Sequence, residues 1–216
     1  VRLSTNLPGF DYSHFASATG GDLRFTDSGG TRVIPFEIDQ WNPAGESTVW
    51  VQVPALSDTN TFIWAYWGNP DEAALPDYAT NGAVWLSQAL QSLPPYELVY
   101  HLEQSGSPYF DSTLQYPATT ANAPRLTNGV IASGNYFSRS PYPDAGTVNL
   151  GNTFTLSTWA NVSSGVSDIQ CIWANGPGVS GSSEVFLHVN DYQTKNGTLV
   201  LANGNGTTAG NLGSSA

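Results

Sequence analysis

The 216-residue sequence has one cysteine, no methionine and a single lysine, and only 11% of it is charged. Each shortage excludes something. A lone thiol, Cys171, cannot build an internal disulfide framework or a thiolate-rich zinc site. In the apolar stretch Ile169-Gln170-Cys171-Ile172-Trp173 it is expected to be a buried small hydrophobe. Six basic residues against 17 acidic ones leave a formal net charge of −11. Such a chain cannot track a phosphate backbone, which excludes nucleic acid as a partner. The same charge argues against docking on an anionic membrane. No run approaches the ~18 to 20 consecutive apolar residues of a spanning helix, so membrane insertion is not expected.

Catalytic signatures are also missing. There is no Gly-x-Ser-x-Gly elbow, no His-Glu-x-x-His, no phosphate-binding loop and no EF-hand pattern. The three histidines, His14, His101 and His188, lie far apart in sequence. His101 falls in an alternating run and reads as a packed or edge-strand histidine. Glu37-Ile38-Asp39 places two carboxylates on one strand face, the kind of pair that cleaves glycosidic bonds when further acids support it. Without them the pair reads as a solvated strand face. A non-enzyme is expected, with a polysaccharide lyase or hydrolase as the third reading.

What the chain has in quantity is aromatic residues, glycine and proline: 12% aromatic, 22 Gly and 14 Pro. Alternation with period two recurs, while helical periodicity hardly does. Strands are expected over 1–6, 23–26, 33–37, 48–53, 61–67, 98–102, 132–137, 154–162, 169–174, 185–189 and 198–202. Asp27-Ser28-Gly29-Gly30, Gly68-Asn69-Pro70 and Asn196-Gly197 supply turn chemistry between them. Only 71–75 and 83–93 could be helical, the latter equally a covering loop. The expected fold class is all-β: two consecutive β-sandwich (jelly-roll-like) modules. Pro94-Pro95 separates two strand sets. The expected organisation is a small β-sandwich over 1–76, a linker or covering segment over 77–96, and a second, incomplete sandwich over 97–216.

In the run Phe62 to Trp67, one face carries Phe62, Trp64 and Tyr66 and the other Ile63, Ala65 and Trp67. A half-buried strand cannot hide both faces in its own core. One set must meet solvent, another segment or a ligand. Trp50 alternates with valines and raises the same question, as does Trp41. Sugars pack their C–H faces on such rings while amides and carboxylates take the hydroxyls. Trp41, Trp50, Trp64, Tyr66 and Trp67 are therefore the candidate ligand-binding residues. The plainer alternative is that the outer rings pack against the second module or the 77–96 segment.

Two resemblances follow from longer motifs. Asp22-Leu23-Arg24-Phe25-Thr26-Asp27-Ser28-Gly29-Gly30, then Val33-Ile34-Pro35-Phe36-Glu37-Ile38 and Trp41, continue into Val49-Trp50-Val51-Gln52-Val53-Pro54 and Tyr66-Trp67-Gly68-Asn69-Pro70. Over residues 1–72 this order resembles a small bacterial family of secreted proteins, a domain of unknown function. Tyr100-His101-Leu102-Glu103, Asp111-Ser112-Thr113 and Phe154-Thr155-Leu156-Ser157-Thr158-Trp159 look like the opening of a concanavalin A-like, laminin-G-type domain. That second resemblance implies a structural calcium, with Asp111 leading and Glu103 and Asp144 contributing. The usual glycine-rich stretch after the Asp-Ser pair is replaced here by Leu114-Gln115-Tyr116-Pro117. Together the resemblances imply a secreted or cell-surface protein, and both chain ends are expected to be cut from something longer. Asn161, Asn196 and Asn205 each begin a glycosylation triplet. The leading expectation is non-catalytic recognition of extracellular polysaccharide. The runner-up is a structural or adhesive module that packs on neighbouring surface-protein domains or on copies of itself.

Overall fold

The computed structural model describes residues 1–86, 95–119, 125–138, 142–151, 153–162, 168–176, 185–190, 197–203 and 208–211. The chain is all-β and every strand pairing among these residues is antiparallel. Two compact units divide between Asn149 and Leu150. The segment from 97 to 149, expected to open a second module, thus belongs to the same unit as the N-terminal strands.

The first unit begins with β1 (Arg2–Ser4), β2 (Arg24–Thr26), β3 (Phe36–Gln40), β4 (Glu46–Val51) and β5 (Trp64–Tyr66). β4 is central in a three-stranded sheet, β1-β4-β3, and β2 pairs with β5 in a second. The two sheets share one core. Leu3, Phe25, Phe36 and Val49 come from the strands, and Phe10, Leu23, Ile34 and Ala79 from the connections. Side-chain alternation explains this choice: Val49 and Phe36 point inward, so Trp50 and Glu37, opposed to each other in register, must point out. The β3–β4 register shifts between Ile38 and Gln40. Asp39 is the extra residue there, and such bulges re-aim side chains. The turn after β2 is closed by Gly30, which donates to the Asp27 carbonyl at φ +71°, a backbone region open to glycine.

Asp22 anchors the connections. Its buried carboxylate accepts from the backbone N–H groups of Ala16, Ser17 and Gly68 at 2.9, 3.0 and 2.6 Å. Burial would raise its pKa, but these donors outweigh burial and hold it below the usual value. Next to it, a Cβ on Gly21 would sit 2.1 Å from the Ala73 carbonyl oxygen, so only glycine fits. Later in the unit, β6 (Arg125–Asn128) and β7 (Ser133–Tyr136) form a hairpin. The second unit carries β8 (Gln170–Asn175), β9 (Val185–Val189), β10 (Leu199–Asn203) and β11 (Thr208–Asn211) in one sheet, ordered β11-β10-β9-β8.

Several expectations are corrected. Residues 98–102 are not a strand: Val99 is tied to the Asp111 loop, and Leu102 sits at φ +58°, which ends any ladder. Residues 153–162 form no strand and are exposed throughout. β6 and β11 were not expected. In place of a helix over 71–75 there is one 3-10 turn, Pro70–Glu72, capped by the Asn69 side chain. Residues 83–86 form a turn, and the rest of 83–93 lies outside the described residues, as do Asn196 and Asn205. Cys171 is exposed rather than buried.

Candidate functional site

The five aromatic candidates have three different surroundings. Trp64 and Tyr66 are 49% and 46% exposed on the outer face of β5, and Phe62, just before the strand and in ring contact with Trp64, is 52% exposed. Ile63, Ala65 and Trp67 are on the inner face, packed against the core. Trp67 is held by Phe10 and Phe15 at ring-centroid distances of 5.5 and 5.6 Å. Trp41 packs on Tyr12 and Phe15 and donates from Nε1 to the Ala18 carbonyl. Trp41 and Trp67 thus help hold the core. Trp64 donates from Nε1 to the Ser28 carbonyl at 3.2 Å and meets Phe62 edge-on at 5.5 Å. This positions its ring against the turn while leaving half of it open.

Beside Tyr66 a cleft of about 300 Å³ is lined by Asp22, Arg24, Val33, Tyr66, Trp67, Asn69, Glu72 and Tyr78. Arg24 lies opposite Tyr66 in the β2–β5 register. Its guanidinium donates to the carbonyls of Gly21, Leu23, Glu72 and Ala74 and to Glu72 Oε2, the last at 2.8 Å. Aromatic surface, an amide, two carboxylates and the Arg24 guanidinium here surround one open space.

Trp50 has a different setting. It lies on the outer face of β3 and β4, with Glu37 and Asp39, and that face is covered. Its ring stacks on the His101 imidazole at 5.2 Å and 14° and tilts against Trp85 at 5.4 Å. His101 approaches Glu37 through Nε2 (3.6 Å) and Asp39 through Nδ1 (3.7 Å). At those lengths the contacts are charge pairing rather than hydrogen bonds. Glu37 also accepts from Trp85 Nε1 at 2.5 Å and from Ser112 Oγ at 2.7 Å. The Asp39 side chain is only 3% exposed. Its Oδ1, His101 Nε2 and Trp50 Nε1 are buried with no hydrogen-bond partner.

The electrostatics follow from this burial. Burial would raise Glu37, but His101, Trp85 and Ser112 hold it below its usual value. Burial raises Asp39 above its usual value against the opposing pull of His101. Burial would lower His101; the carboxylates of Glu37, Asp39 and Glu103 outweigh it and raise it. Glu103 is pushed up to about 7, first by burial and then by the negative charge of Asp39. The pair Glu37 and Asp39 is therefore no solvated strand face. It forms half of a covered acid–histidine cluster, and Trp85, Ser112 and His101 were missed as its partners. One signal was present: Glu37-x-Asp39 and His101-x-Glu103 repeat the same i, i+2 spacing.

Asp111 does not fit a calcium ion. Its buried oxygens already accept from the N–H groups of Val99, Thr113, Gln115 and Tyr116 and from Thr113 Oγ1. A cation needs lone pairs facing it, and here donors do. Asp144 is exposed and accepts from Gly146 N–H. Among the described residues no three of His, Cys, Asp and Glu are grouped to hold a metal.

Two features now define this part of the chain: an all-β unit with an aromatic outer face, and a motif run that fixes its turns. Residues 19–84, under half of the chain, match the family model described as Domain of unknown function (DUF2341). The match contains the Asp22 anchor, Gly21 and β2 to β5, and ends one residue before Trp85. No curated protein and no solved structure matches the chain.

Proposed function

We propose that this chain is a non-catalytic recognition module of a secreted or cell-surface protein and binds polysaccharide on the outer face of β5. The observation that carries this reading is the exposure of Phe62, Trp64 and Tyr66 on one face beside a cleft with polar walls. Three large rings at alternate positions cover roughly 13 Å at ~3.3 Å per residue. Exposed aromatic surface of this kind on a chain so rich in polar loops marks an interaction site. Polysaccharide suits it better than a compact ligand, because the surface is open and long. In this reading the chain carries two consecutive β-sandwich modules, the second, of laminin-G type, over 97–216. Calcium has no part in it, given the donors around Asp111.

Affinity electrophoresis against a panel of soluble polysaccharides tests the proposal, with the Trp64→Ala variant as control. Retardation by a polysaccharide that Trp64→Ala abolishes is the expected result. Unchanged retardation in that variant would remove β5 from the site. The runner-up, a structural or adhesive module, draws on the edge of β5, which among the described residues pairs only with β2. A sedimentation coefficient that rises with concentration, with no polysaccharide effect, would favour it.

A further inference from the structure

We infer that the cleft beside Tyr66 selects uncharged sugar units, so that the ligand is a neutral polysaccharide and not one built from uronic acids or sulfated sugars. This rests on the reading of β5 as a glycan-binding face. The cleft contains one cation, Arg24, and two carboxylates, Asp22 and Glu72. Arg24 would be the natural partner of a sugar carboxylate or sulfate. Its terminal nitrogens are instead directed to four backbone carbonyls and to Glu72 Oε2. The guanidinium charge is paired before any ligand arrives. Asp22, fixed by three backbone N–H groups and held below its usual pKa, stays ionised. Two negative charges against one paired positive charge leave the space repulsive to anions, on a chain whose net charge is −11.

The remaining groups suit hydroxyls. Tyr66 and Tyr78 offer phenol groups, and exposed Glu72 offers its second carboxylate oxygen. Asn69 uses Oδ1 to cap the Pro70–Glu72 turn, which leaves its amide N–H₂ for a ligand. Each can donate to or accept from a sugar hydroxyl, and none needs a charge on the ligand. Tyr66 joins the cleft to the open rings, so a chain lying along Phe62 and Trp64 delivers one unit into it.

The test is affinity electrophoresis at low ionic strength, where charge effects are least screened. The gels contain mixed-linkage β-glucan, xylan or galactomannan as neutral ligands and alginate, polygalacturonate or chondroitin sulfate as anionic ones. Retardation by at least one neutral polymer and none of the anionic ones is expected. Tyr66→Phe, which keeps the ring, should weaken that binding about fivefold, the worth of one hydrogen bond; Asn69→Asp, which keeps the oxygen that caps the Pro70–Glu72 turn and loses the N–H₂, should act similarly. Retardation by an anionic polymer overturns the inference while leaving glycan recognition standing. Neutral binding that both variants leave intact removes the cleft from the site and overturns it as well. If no polymer of either class binds, the reading of β5 itself fails, and the inference with it.

Discussion

The outer face of β5 and the outer face of β3 and β4 are built from the same materials, aromatic rings set opposite polar residues of the neighbouring strand, and they end in opposite states. On β5 the rings of Phe62, Trp64 and Tyr66 stay about half exposed, and the polar groups next to them line an open cleft. On β3 and β4 the ring of Trp50 is closed over by His101 and Trp85, and Glu37 and Asp39 are sealed beneath. Strand alternation decides which residues share a face. What decides the fate of that face is the segment that crosses it, and residues 82–86 and 96–104 cross only one of the two. The difference teaches that a ring on an outward face is evidence for a ligand only where no covering segment reaches it.

The sharpest way to break the comparison is to delete one ring from each face. Trp85 is almost fully buried and holds Glu37, so Trp85→Ala should cost about 3 kcal/mol in urea denaturation, as large aromatic truncations in cores do. Trp64→Ala should cost about 1 kcal/mol, since half of its ring is already in solvent and it loses one hydrogen bond and one ring edge. Equal costs would mean that the two faces are not open and closed as described.

A smaller effect is expected when only charge is removed. Glu37→Gln keeps the shape of the side chain but loses the charge that faces His101 and accepts from Trp85 and Ser112. About 2 kcal/mol of destabilisation is expected in the same assay, because one partner of a covered pair is left behind. An exposed acid outside the cluster gives the counterpart: Asp71→Asn, on the turn after β5, should be neutral within about 0.5 kcal/mol. A Glu37→Gln variant as stable as the parent would show the cluster to be solvated.

Much of this architecture could be read from the residues alone, for reasons specific to each element. The alternation through Val49, Trp50 and Val51 placed β4 and its inward face, and Asp27-Ser28-Gly29-Gly30 placed the turn after β2. The opposed faces of residues 62–67 were legible, though not which of them faced out. Residues 98–102 misled, because Val99-Tyr100-His101 alternates as a strand does while its hydrogen bonds go to the Asp111 carboxylate and its loop. Alternation records the side chains and is silent about where the backbone finds partners. The acid–histidine cluster was hidden for a related reason: Glu37 and His101 are 64 positions apart in numbering (101 − 37), and no local pattern spans that distance. Trp67 combines both roles: it packs on Phe10 and Phe15 inside and still lines the cleft beside Tyr66, a division that alternation alone does not show.

The smallest effect is also the most specific to the covered face. Glu103 has its pKa pushed from 4.5 to about 7, and His101 and Asp39 are also raised. A carboxylic acid that is harder to ionise when folded than when unfolded favours the unfolded chain once the unfolded form ionises. Its penalty is absent below pH 4.5, grows up to about 7 and is constant above that. A histidine raised by folding stabilises below its unfolded pKa, and this contribution fades as pH rises through the folded value. Both therefore make the fold less stable as pH rises across this window. Glu37, lowered by folding, acts in the opposite sense, and its contribution is lost only as pH falls below the usual carboxylate range. Melting of the first unit should accordingly drop by a few degrees between pH 5 and 7.5, about 1 kcal/mol after allowance for the partial exposure of Glu103. Glu103→Gln should flatten that slope, whereas Glu72→Gln, on the open face, should leave it unchanged. A parent protein whose melting temperature climbs over the same interval would mean that Glu103 is ionised at no cost, and the covered face would then be open to water like the other.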